Sequence, residues 1–281
     1  MLMRKIKYII VTICFLIIIG LSAKAQLVIN DFLTDSQLVE QVLLGEGVQV
    51  YNITSSSAPK AIGRFTTESV IPELPMAGGI IMSTGNIFDA IGPNMDEGTS
   101  TNFSRPGDSD IETIMATSSL DAAIIEFDFR SSSDIVSFNY IFASEEYREY
   151  VCDFNDAFAF FLSGPNPLGG TYDKYNIALI PGTTTNVSIT NINNGDSDNN
   201  CSHELSNMEY YVDNAGGANV EYDGLTKLLT ALAVIVPCEE YHIKIVIADA
   251  FDSAYDSAIF FEAKSLEALL LVNLLDIVEQ R

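Results

Sequence analysis

Tryptophan is absent from this 281-residue sequence, and histidine occurs only twice, as His203 and His242. Without tryptophan there are no indole platforms to line a carbohydrate cleft. Two histidines without sequence-local partners leave little for a catalytic imidazole or a zinc site. The sequence has no Gly-x-Ser-x-Gly elbow, no phosphate-binding glycine loop and no His-Glu-x-x-His. With no recognisable catalytic motif, it is read as a non-enzyme.

Positive charge is also scarce, with 14 Lys and Arg against 38 Asp and Glu. Four of those bases (Arg4, Lys5, Lys7 and Lys24) lie in the first 25 residues, which hold no acid. The remainder has ten bases against 38 acids, a formal charge of −28. Such a surface repels nucleic acid and anionic membrane. It suits divalent cations, basic partners or plain solubility. Long apolar runs are lacking too, apart from Tyr8 to Leu21. That run follows a short basic region and closes on Ala23-Lys24-Ala25, the small-x-small pattern at which signal peptidase cuts. Residues 1–25 are therefore expected to be a signal peptide, with Gln26 as the new N-terminus. The alternative, an uncleaved anchor, would want a run nearer 20 residues, roughly. After cleavage no transmembrane span is expected, and the protein is placed outside the cytoplasm, secreted or on the cell surface.

Cysteine is sparse: beyond Cys14 in the apolar run there are Cys152, Cys201 and Cys238. Their spacing fits no zinc motif. An exported chain can oxidise one pair and leave one thiol over. Cys201–Cys238 is the expected pair, with Cys152 as an alternative partner.

Aromatic and aliphatic residues are abundant, including 16 Phe and 12 Tyr, enough to bury a sizeable core. Ser36 to Leu44 has helical spacing at Leu38, Val39, Val42 and Leu43, with Asp35 or Ser36 as cap and Gly45 as stop. Short β-like runs follow at Val48 to Ile53, Gly79 to Met82, Ala122 to Phe129, Ile135 to Phe142 and Ala157 to Ser163. Others are Ile177 to Ile180, Val187 to Ile192, Leu225 to Val236, Tyr241 to Ala248 and Ser257 to Ala263. Ile125, Phe127 and Phe129 alternate onto one face, as do Val136, Phe138, Tyr140 and Phe142. With Arg130 to Asp134 as the turn, those two runs predict an antiparallel hairpin. The pair Asp223-Gly224 reads as a turn before the Leu225 strand. Ile91 to Asp110 reads as a long surface loop. The sum is an all-β antiparallel sandwich, jelly-roll-like, with one short N-terminal helix and a few minor helices. One domain over 26–265 is expected. Residues 266–281 form a short tail, read as a helix or a late strand.

Where the acids fall is the most informative pattern. Residues i and i+2 of a strand share a face. Asp249 therefore follows Ile243, Ile245 and Ile247 on the buried side. Asp156 shares the face of Phe158, Phe160 and Leu162, and Asp256 that of Ala258 and Phe260. Glu146 keeps the parity of Phe138, Tyr140 and Phe142. A carboxylate at a core edge must find donors or a cation. Oxygen ligands gathered from loops are what calcium takes. The expected ligands of one or two Ca²⁺ ions are Glu145, Glu146, Asn155, Asp156, Asp249, Asp252 and Asp256. The plainer alternative is that these acids close turns and accept backbone N–H groups. A third is a glycosidase pair drawn from the same carboxylates.

Phe138-Asn-Tyr-Ile-Phe-Ala-Ser-Glu-Glu-Tyr147, then Phe154 to Gly164, Asn176 to Thr183, Tyr222-Asp-Gly224, Tyr241 to Asp249 and Asp252 to Ala258 recur in order. This set resembles the choice-of-anchor L domain of exported bacterial surface proteins. Leu43 to Val48, Ile80 to Gly85 and Gly92-Pro-Asn94 extend the resemblance, which covers roughly residues 30–265. It implies a place outside the cytoplasm, and no sorting module is recognisable after Ser265. The expected function is an extracellular binding or adhesion module, stabilised by Ca²⁺, whose ligand is a glycan or a surface or matrix protein. A non-binding structural spacer is the alternative.

Overall fold

The computed structural model describes residues 27–95, 98–151, 156–195 and 207–270. The expected signal peptide, Asn155, Cys152, Cys201 and His203 lie outside the described residues. Among the described residues, fourteen strands make two antiparallel sheets. Their ranges are β1 Leu27–Asn30, β2 Val48–Ser56, β3 Ile62–Thr67, β4 Gly78–Ser83, β5 Ser119–Ser131, β6 Ile135–Ser144 and β7 Ala157–Pro165. They continue with β8 Thr171–Asn176, β9 Tyr211–Asp213, β10 Gly224–Thr226, β11 Leu229–Val234, β12 Tyr241–Ala250, β13 Ser257–Glu262 and β14 Glu267–Leu269. One sheet of five strands runs β2-β5-β12-β7-β8. The other, of nine, runs β1-β3-β4-β13-β6-β10-β9. In it β14 and β11 pair with the first half of β6. The all-β sandwich reading holds.

Between the sheets, alternate residues meet in one core. Ile125, Phe127 and Phe129 of β5 and Ile243, Ile245 and Ile247 of β12 face Phe138, Tyr140 and Phe142 of β6. Phe138 and Phe160 cross edge-to-face with centroids 4.9 Å apart. Strands β6 and β13 are apolar on both faces, because loops cover the outside of their sheet. Ile141, Ala143, Ala258 and Phe260 pack there against Ile71, Leu74, Ile87 and Val220. That double burial explains why SAIFFE of β13 reads as a continuous run rather than an alternation.

The hairpin expected from β5 and β6 does not form. β5 pairs with β2 and β12, whereas β6 pairs with β10, β11, β13 and β14. The segment between them carries the chain from one sheet to the other. Alternation reports which face is buried, and both arrangements point the same side chains at the same core. The Asp223-Gly224 turn is also corrected. Gly224 already belongs to β10, and the connection from β9 is the longer loop Asn214–Asp223. The single run Leu225 to Val236 is two strands, both on β6, broken where the Thr226 hydroxyl oxygen accepts the Phe142 N–H (3.0 Å). Ile177 to Ile180 and Val187 to Ile192 are irregular, joined by one bridge at Leu179 and Asn186. Their apolar side chains are buried all the same. The side chain of Asn176 replaces the missing ladder, accepting the N–H groups of Phe160 and Ala178 (both 3.0 Å). The expected tail begins with β14.

The N-terminal helix runs as Asp35–Gln37 and then as a π-helix over Leu38–Leu43. Its cap is Thr34, not Asp35 or Ser36. Thr34 and Gln37 form a reciprocal capping box. Thr34→Ala is expected to cost about 1 kcal/mol in urea unfolding. A second helix, Ser109–Met115, is capped by Asp108 and covers the outside of the five-stranded sheet over Ala159, Phe161 and Val246. Lys244 fastens its start, reaching Asp108 (2.6 Å) and Asp110 (2.8 Å). Burial opposes the Lys244 charge, but these two carboxylates outweigh it and raise its pKa. Lys244→Met should lower stability by about 1–2 kcal/mol, because two half-buried carboxylates lose a partner; a denaturant melt measures it.

Cys238 carries a free, exposed thiol, so the Cys201–Cys238 bond is not formed here. His242 lies on the outer face as its parity required. Its Nδ1 is 2.8 Å from Asp128 Oδ1, a cross-strand partner invisible in the linear sequence. Among the described residues no helix is long and apolar enough to cross a membrane.

Candidate functional site

Antiparallel pairing brings the ends of β4, β6 and β12 and the starts of β5, β7 and β13 to one end of the sandwich. The acids singled out by parity lie in these segments. Glu145, Glu146, Asp156, Asp249 and Asp256 are all between 0 and 2 % exposed. Asp252 is exposed, and its Oδ1 accepts the N–H of Ala254 (3.0 Å), an Asx turn.

Asp156 is the centre of the inner network. Its Oδ1 accepts the Ala250 N–H (2.8 Å) and its Oδ2 the Ser257 hydroxyl (2.8 Å). The Ser257 hydroxyl also meets that of Ser144 (2.8 Å), and the Asp156 N–H donates to Glu146 Oε2 (3.2 Å). Asp249 lies at a register shift between β12 and β5. Neither of its oxygens has a well-formed hydrogen bond, and the Thr84 hydroxyl is the donor that faces it. Burial, then the charge of Asp156, raises the Asp249 pKa well above the usual carboxylate range. The same two causes raise Glu146. Burial pushes Asp156 up to about 8 and Asp256 up to about 7. Glu145, in the turn that follows β6, acts by its charge on Tyr222.

The long loop expected over Ile91 to Asp110 does not simply skirt the surface. Its backbone is seated on two buried carboxylates. Asp256 accepts the Thr101 N–H (2.8 Å), and Asp121 accepts the N–H groups of Phe103 (3.0 Å) and Arg105. Asn94 is buried in turn and donates to Asp223 (2.8 Å). At Gly85 a Cβ would collide with the Asp256 carboxylate, so the backbone can pass there only without one. Asp121, which sequence reasoning missed, keeps the parity of Ile125, Phe127 and Phe129. The signal was present; the left-handed backbone that turns its carboxylate to the loop (φ 48°) was not.

The expected metal ligands are thus partly assembled. Glu146, Asp156, Asp249 and Asp256 share one buried region, Glu145 acts on Tyr222, Asp252 is at the rim, and Asn155 is outside the described residues. Among the described residues, no three acidic, histidine or cysteine side chains converge as a bound metal ion requires.

The sequence profile of the choice-of-anchor L domain matches residues 28–267. The chain belongs to the choice-of-anchor L domain family. No curated protein matches it in sequence. A choice-of-anchor L domain is an extracellular or cell-surface module, and its family is not one of enzymes. In this choice-of-anchor L domain three motifs of the resemblance reach the buried acids. Ser144-Glu-Glu-Tyr147, Asp249 and Asp256-Ser257 are strand ends of that region.

Proposed function

We propose that this choice-of-anchor L domain is a binding or adhesion module that works outside the cytoplasm, and that Ca²⁺ fixes its loop-bearing end. The observation that carries the reading is the burial of Glu146, Asp156, Asp249 and Asp256 together, with Asp249 lacking well-formed hydrogen bonds. Buried like charges are costly unless protons or a cation neutralise them. Extracellular modules meet calcium at concentrations that fill sites of about 10⁻⁴–10⁻³ M. A cation entering this region would draw the carboxylates to a common point and tighten the loops hung on Asp256. The same burial argues against a carboxylate hydrolase, whose acids must touch substrate.

Calorimetric titration with CaCl₂, and thermal melts in calcium and in EDTA, test the metal part. Binding heat and a higher melting temperature in calcium are expected; no heat and superimposable melts would reject it. Attachment of the purified domain to glycan and matrix-protein surfaces tests the adhesion part, and a pure spacer would attach to none.

A further inference from the structure

The loop seated on Asp121 and Asp256 also has an outer side. A groove of about 400 Å³ opens there. Asn102, Ser104, Arg105 and Pro106 wall it from the loop, Leu120 from β5, and Ser253 from the turn between β12 and β13. The two walls are tied to each other. The Asn102 amide donates to the Ser253 hydroxyl, while its carbonyl oxygen accepts the N–H (2.7 Å) and hydroxyl (2.9 Å) of Ser104. Ser104 and Asp121 both hold left-handed backbones (φ 54° and 48°). Such conformations persist only where the surroundings over-determine them, and here the Asp121 carboxylate does so from beneath. Leu120, 36 % exposed, is an apolar surface among these polar groups. Phe251, 68 % exposed, stands two residues before Ser253. The Arg105 side chain is exposed and makes no ion pair with the described residues, in a chain with 38 acids.

We propose that this groove binds a neutral, hydroxyl-rich sugar unit of an extracellular glycan, an inference that rests on the binding-module reading above. A sugar ring presents hydroxyls at its rim and C–H groups on its face. The guanidinium of Arg105, with five donors in a planar fork, spans neighbouring hydroxyls. Asn102, Ser104 and Ser253 add donors and acceptors, and Leu120 and Pro106 take the C–H face. The walls are already locked, so little ordering is lost on binding. An extended peptide fits less well, because the Leu120 backbone is already paired with Pro106 on one side and Asp249 on the other. An anionic polymer meets the net charge of −24.

Affinity electrophoresis of the full-length chain through gels containing dextran, mannan, a mixed-linkage β-glucan or polygalacturonate tests this. At least one neutral polysaccharide should retard the protein. Arg105→Ala and Leu120→Asp, both at exposed positions, should each weaken that retardation about tenfold. Lys227→Ala, away from the groove, should leave it unchanged. Melting curves establish that the variants are folded. No retardation by the neutral polymers, retardation by polygalacturonate alone, or equal retardation of the groove variants would overturn the proposal. Attachment to a matrix protein without any glycan binding would remove the sugar and leave the module reading standing. Failure of both would remove the two together.

Discussion

Asp249→Asn should make the calcium-free domain more stable, by about 2–3 kcal/mol at pH 8, while abolishing any stabilisation by calcium. An amide has nearly the shape of the carboxylate but no charge. In EDTA at this pH the native Asp249 must either keep a proton against the solvent or carry a buried charge beside Asp156. The variant is relieved of both. The native carboxylate oxygens have no well-formed hydrogen bonds to lose, and the Thr84 hydroxyl that faces them can donate to the amide oxygen instead. In calcium the order reverses, because the variant lacks a ligand. Urea unfolding of both proteins in EDTA and in calcium gives four midpoints. A variant that is less stable in EDTA would show that Asp249 holds the fold by bonds of its own, and the buried charge would then be structural.

Stability in EDTA should fall as pH rises from about 5 to about 9. The sign follows from linkage. Glu146, Asp156, Asp249 and Asp256 have folded pKa values above those of an unfolded carboxylate, so the folded state binds the extra protons. Their contribution is complete below the unfolded values near 4, roughly. It is lost as pH climbs through about 7 for Asp256 and about 8 for Asp156. Asp110 and Asp128 act oppositely. Burial pushes each up, but Lys174 and Lys244 outweigh it at Asp110, and Asn52 and His242 at Asp128, so both end below the usual value. Their contribution is present at neutral pH and lost in strong acid. The midpoint of unfolding should therefore peak in mild acid. Calcium should flatten the alkaline side by replacing the protons. Urea midpoints measured from pH 4 to 9, with and without calcium, give the profile. A metal-free midpoint that stays level or rises between pH 6 and 9 would contradict the account of buried acids with raised pKa values.

Side-chain parity was a good guide to which carboxylates are buried. It assigns Asp156 and Asp249 to the buried side because a strand's two-residue period is local, and the same period holds for Asp121. It does not assign Glu145, since its neighbour Glu146 keeps the core parity and nothing in the sequence says what covers the outer face of β6. In the structure that cover is provided by distant segments, among them Ile87 and Val220.

The linear sequence by itself determined the all-β class, the buried faces of the long strands and the family, because periodicity and ordered motifs are carried by near neighbours. Pairing was decided only in three dimensions. β5 and β6 share a pattern with a hairpin but belong to opposite sheets, since the same alternation satisfies a core from either side. His242 found Asp128 across strands separated by more than a hundred residues. The carboxylates at strand ends became one buried region only when six strand termini met. The loop above them took its shape from Asp121 and Asp256, whose oxygens are the partners of its backbone N–H groups. A buried charge must be satisfied by whatever the fold brings near it, and the fold, not the neighbouring residue, decides what that is.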